Sequence, residues 1–203
     1  MDNTFGTGGK VQVTTMGSSQ GSGLAIQPDG KILVAGYSVS VNQAVPGITR
    51  LLANGTIDNS FGTQGKILLP LSDPQSGINY TDLAIQADGK IVLCGTIWHY
   101  TAGVKEIITW RVNANGTTDI TYGTNGTVFE TVGSYSNCGA NAVKIQSDGK
   151  IVVGGYYQTG ASDSSFLVIR YNANGTHDNT FAGNGRAGVA FSHSAEGTGI
   201  ALQ

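Results

Sequence analysis

Side chains with catalytic potential are few in this chain, and they do not cluster by spacing. His99, His177 and His193 fall at non-equivalent positions, and no His-Glu-x-x-His or paired Cys-x-x-Cys pattern occurs. A zinc site of known spacing is therefore not expected, nor is any other metal or cofactor. The stretch Asn172-x-Asn174-Gly175-x-x-Asp178 alternates oxygen ligands before a glycine, as a calcium loop does. Arg170 stands where the first acidic ligand belongs, however, and no glutamate closes the loop. Asn-Gly-Thr at Asn54, Asn115, Asn125 and Asn174 fits a glycosylation acceptor, but Asn-Gly is also turn chemistry, which is the preferred reading. Cys94 ends an apolar run at a position held by small residues in the other repeats, and Cys138 is placed in a connection. Both are expected to be free thiols. A serine or cysteine nucleophile would need a base and an orienting group brought together in space, which spacing alone does not supply.

Four aspartates, Asp2, Asp58, Asp119 and Asp178, could suggest paired-carboxylate catalysis. Their regularity argues otherwise, because an active site in a repeated fold is normally one asymmetric constellation. Arg50, Arg111 and Arg170 precede the last three by a constant step of eight residues. Each aspartate therefore reads as a structural partner of its arginine or a loop-capping carboxylate, and the aromatic three residues later as a hydrophobic plug.

The elements that must hold these residues follow from self-similarity. Asp-Asn-Thr-Phe at Asp2 returns, with small changes, at Asp58, Asp119 and Asp178. Gln-x-Asp-Gly-Lys begins at Gln27, Gln86 and Gln146, and Ala-Asn-Gly-Thr follows each of the three arginines. Each repeat reads as four short strands. Asp-Gly closes the first hairpin, with Gly30, Gly89 and Gly149 taking the left-handed conformation, and Asn-Gly closes the third strand. No window sustains a helical apolar period. Glycine numbers 31 of 203 residues, and charged residues are only 12%. The fold class is all-β: a β-propeller segment of four-stranded antiparallel blades, about three blades plus two partial ones. The units run approximately 2–57, 58–118, 119–177 and a truncated 178–203 within one domain. Lys10 to Val13 is expected as an outer strand and Gly199 to Gln203 as an inner one, giving about fourteen strands. Their missing neighbours suggest part of a longer chain, or a self-assembly that covers open blade edges.

These motifs resemble the delta-60 repeat family, a β-propeller group of unknown function, over essentially the whole chain. Tyr122 stands for the usual phenylalanine and Ala182 for the usual glycine. The resemblance implies a secreted or cell-surface bacterial protein. It carries no catalytic or ligand residues.

Eleven basic against 13 acidic side chains leave a net charge of -2, which gives no electrostatic footprint for nucleic acid. No apolar run is long enough for membrane insertion. Length differences between repeats collect in the connection between blades and in the second hairpin, and both emerge at the same end of a propeller. That end is variable and the other is uniform, and variable loops on a rigid scaffold are where binding usually resides. Tyr37, Trp98, His99, Tyr100, Tyr156 and Tyr157 fall in the second hairpins, so they are the candidate contacts for a protein or glycan partner. The expected function is a non-enzymatic scaffold or binding module. An extracellular enzyme acting on sugars or esters and a purely structural spacer are the alternatives.

Overall fold

The computed structural model describes residues 2–13, 18–40, 43–69, 76–133, 137–160, 163–190 and 195–202. Twelve strands form three four-stranded antiparallel sheets, and no helix occurs among the described residues. The first blade holds β1 (Ser18–Ile26), β2 (Ile32–Ser40), β3 (Gln43–Leu51) and β4 (Lys66–Leu68). The second holds β5 (Ser76–Ile85), β6 (Ile91–His99), β7 (Val104–Val112) and β8 (Thr127–Glu130). The third holds β9 (Cys138–Ile145), β10 (Ile151–Gln158), β11 (Ser164–Tyr171) and β12 (Arg186–Val189). Within each blade the strands lie in chain order, as a meander.

Turn chemistry makes the first hairpins. Gly30, Gly89 and Gly149 have φ of 82°, 82° and 83°, and each amide donates back to the glutamine carbonyl three residues earlier. The blades then stack through apolar faces. Ile91, Leu93 and Trp110 join Leu33, Ile48 and Phe61 of the first blade in one core. Val92, Cys94 and Ile107 face the other way and join Val143, Val153 and Ile169 of the third. Successive side chains on a strand point to opposite faces, so a strand packed on both sides is apolar throughout. That is why Ile91 to Cys94 is an unbroken apolar run.

Three expectations need correction. The terminal segments are not strands: Lys10 makes only isolated bridges to Gly6 and Thr7, and Gly199 to Leu202 has no ladder, while Gln203 lies outside the described residues. Twelve strands are present among the described residues, not about fourteen, because neither segment forms a ladder there. The aromatic residues placed in second-hairpin loops are strand residues instead. Tyr37 pairs with Pro46, Trp98 with Lys105, and Tyr156 and Tyr157 with Phe166 and Ser165. Aromatic and β-branched side chains favour the pleated ladder, so it continues through them to a short tip. Tyr100 alone lies past the strand end. Cys138 likewise opens β9 and is not in the connection; it and Cys94 are buried free thiols.

Candidate ligand-binding cleft

The repeated motifs at the uniform end form one device, built three times. Arg50 Nε donates to Asp58 Oδ2 at 2.8 Å, Arg111 to Asp119 at 2.8 Å, and Arg170 to Asp178 at 2.7 Å. The lysine of each Asp-Gly-Lys turn meets the same carboxylate, at 3.5 Å for Lys31, 3.0 Å for Lys90 and 3.1 Å for Lys150. The second carboxylate oxygen accepts from the hydroxyl and amide two residues on, Ser60, Thr121 or Thr180. Each guanidinium also covers the following ring, with Arg50 4.5 Å from the Phe61 centroid, Arg111 4.7 Å from Tyr122 and Arg170 4.8 Å from Phe181. Finally the arginine crosses to the next blade. Arg50 donates to the Ala114 carbonyl at 2.7 Å and Arg111 to that of Ala173. Alongside, Gly62 and Gly123 donate to Asn115 and Asn174 of the following Asn-Gly turn. With its oxygens occupied in this way, the aspartate has a structural task.

These contacts set an acid limit. The Ser60 hydroxyl leads in lowering Asp58 to about 2, against an opposing burial effect. At Asp119 burial resists ionisation, but hydrogen bonds from Thr121 and Lys90 outweigh it, and at Asp178 the Thr180 hydroxyl leads. A carboxyl that ionises more readily when folded stabilises fully above its unfolded pKa of about 4, and that stabilisation disappears as pH falls through the folded value. The melting temperature is therefore expected to be level from pH 7 to about 5 and to drop between about 4 and 2. Thermal melts followed by circular dichroism check this, and a decline that begins at pH 6 would contradict it.

At the variable end the inner strands surround a cleft of about 760 Å³. Tyr37, Trp98, Tyr100 and Tyr156 line it, so one aromatic from the first blade, two from the second and one from the third converge there. Gln20, Ser22, Asn79, Thr81, Thr96 and Asn141 supply amides and hydroxyls, and Lys105 and Glu196 the charges. Tyr37 donates its hydroxyl to Gln20 Oε1 at 2.6 Å. Trp98 and Tyr100 stand 4.9 Å apart with rings tilted by 42°, and Lys105 Nζ lies 5.0 Å from the indole centroid. Glu196 accepts from Asn141 Nδ2 at 2.8 Å. Burial, and then the charge of Glu196, raise the Tyr156 phenol above its ordinary pKa.

Two aromatic-hairpin candidates do not line the cleft. Tyr157 packs against the core between the second and third blades and over Gly188. His99 pairs through Nδ1 with Ser76 Oγ at 3.1 Å and through Nε2 with Glu106 Oε2 at 2.9 Å, and Thr131 donates to Glu106 Oε1 at 2.5 Å. Serine, histidine and carboxylate in series match the order of a nucleophile, its base and an orienting acid. Ser76, however, is only 3% exposed, so its hydroxyl is not presented to a substrate. The series instead links β5, β6, β7 and the residue after β8, and His99 stands in the hairpin between Trp98 and Tyr100.

Two glycines that shape the cleft escaped the sequence reading. A Cβ on Gly77 would lie 2.5 Å from the Tyr100 hydroxyl, and one on Gly139 would lie 2.7 Å from the Tyr156 ring and 2.6 Å from Thr96 Oγ1. Each glycine leaves room for a tyrosine, the hydroxyl end of Tyr100 at Gly77 and the ring of Tyr156 at Gly139. The available signal was a glycine inside a strand pattern, which marks close approach by another group. Among the described residues no group of three or more histidine, cysteine, aspartate or glutamate side chains could hold a metal ion. His193 lies outside the described residues.

The family model described as "Domain of unknown function (DUF5122) beta-propeller" matches residues 27–61, 86–122 and 146–181, together more than half of the chain. Each matched stretch runs from the glutamine before an Asp-Gly turn to the aromatic after the repeated aspartate. No curated protein matches the chain.

Proposed function

We propose, from the premise that the chain belongs to this β-propeller family of unknown function, that it is a secreted or cell-surface binding module without enzymatic activity. The carrying observation is the convergence of four aromatic side chains from three blades on one cleft, at the end where repeat lengths differ. The uniform end uses its polar groups to hold blades together, whereas the cleft leaves Trp98 44% and Tyr100 57% exposed. Exposed aromatic surface of this kind is characteristic of recognition sites. The extracellular setting rests on the resemblance to delta-60 repeats.

The chain contains its own reporter. Of its two tryptophans, Trp110 is 1% exposed in the core, so acrylamide is expected to quench mainly Trp98. In a screen of oligosaccharides and peptides, a bound partner is expected to shield Trp98 from the quencher. The reading fails if no compound of either class shields it.

A further inference from the structure

We infer that the cleft takes a neutral carbohydrate chain, stacked on the Trp98–Tyr100 platform and hydrogen-bonded along the inner strands. The inference rests on the cleft's being the binding site. A pyranose ring offers a face of C–H groups with partial positive charge and a rim of hydroxyls that both donate and accept. The first suits the negative face of an aromatic ring. The second suits amides and hydroxyls, which line this floor at Gln20, Asn79, Thr81, Thr96 and Asn141. A volume of about 760 Å³ falls within the range of small-ligand sites, roughly 300–1,000 Å³.

Charge and backbone argue for this class over others. The lining holds one cation and one carboxylate, each already engaged, Lys105 with the indole and Glu196 with Asn141. There is no cluster of like charge to select an acidic or basic ligand. An extended peptide commonly binds by adding a strand to an open edge. Here the inner strands are interrupted by irregular register between Gly21 and Gly23, between Tyr80 and Asp82, and opposite Gly154 and Gly155. Such bulges turn an edge away from further pairing.

The test is calorimetric titration of the whole chain with neutral hexasaccharides of glucose, mannose, xylose and N-acetylglucosamine. An oligogalacturonate and a random peptide pool serve as the competing classes. At least one neutral hexasaccharide is expected to bind. Trp98→Ala and Tyr100→Ala are each expected to weaken it by roughly tenfold, as loss of a contact residue worth more than 1 kcal/mol does. Both side chains are exposed, so melting temperatures should stay near that of the parent. Gly77→Val keeps both rings but removes the seat of Tyr100, and is expected to weaken binding in the same way. Preferential binding of the oligogalacturonate overturns the neutral class. Binding of peptides alone overturns the carbohydrate assignment and leaves the cleft as the site. Silence in every titration, with Trp98 unshielded throughout, overturns both. A hexasaccharide whose affinity ignores all three substitutions binds elsewhere and also overturns the inference.

Discussion

Asp119→Ala is expected to lower the melting temperature by roughly 6–20 °C. Removing one partner of a buried ion pair costs about 3–5 kcal/mol, and each kcal/mol moves the midpoint of a domain this size by about 2–4 °C. The cost arises from what is left behind. Arg111 is 5% exposed, fixed over Tyr122 and committed to the third blade through Ala173, so it cannot turn to solvent when its carboxylate is lost. Asp2 is an internal control. It accepts from the Thr4 amide and hydroxyl as its equivalents do from theirs, but it is exposed and, among the described residues, makes no ion pair with an arginine. Asp2→Ala should change stability by no more than about 0.5 kcal/mol. Calorimetric melts of the two variants decide the matter, and equal shifts would refute the role given to the arginine.

Gly155→Ala is expected to cost about 3 kcal/mol, near the upper end of what an added core methyl does, with a fall of roughly 6–12 °C. A Cβ there would lie 1.9 Å from the carbonyl oxygen of Gly139, a backbone atom that cannot move aside alone. Gly36 faces the Gln20 carbonyl at 2.1 Å in the same way. The strain should also reach the cleft, since Gly139 seats Tyr156 and β9 would have to shift. Gly160 is the comparison. Its Cβ would first meet the Asp163 carboxylate at 3.3 Å, the end of a side chain that can turn, so Gly160→Ala should be nearly neutral. If chemical denaturation gives the two variants the same midpoint, the close approach is not limiting.

The parts legible in the sequence were those encoded locally. An Asp-Gly pair determines its own turn, and a constant step of eight places Arg111 beside Asp119 without knowledge of the rest of the chain. What escaped depends on residues that only strand pairing and packing bring together. The lysine that completes each carboxylate site lies on the opposite hairpin, 27–29 residues away in sequence (Lys31 to Asp58, Lys90 to Asp119, Lys150 to Asp178), and repetition alone did not link it. Ser76, His99 and Glu106 meet through strand pairing that their spacing does not reveal. Tyr37, Trp98 and Tyr156 lie in ladders and not in loops, because sequence marks a turn by glycine and proline and says little about where a ladder outlasts them. The part Gly77 and Gly139 play is set by side chains that approach them in the folded chain, Tyr100 at Gly77 and Tyr156 with Thr96 at Gly139.

Each junction between blades uses an arginine and an amide on one side and an Ala-Asn-Gly turn on the other, and every full repeat carries both halves. In-frame loss or duplication of one whole unit therefore recreates the same junction between new neighbours. Stability in such an array grows as a sum over units and nearest-neighbour contacts. Unequal crossing-over between the near-identical motifs can thus lengthen or shorten the gene while each joint keeps its chemistry, and the variable ends are free to diverge unit by unit.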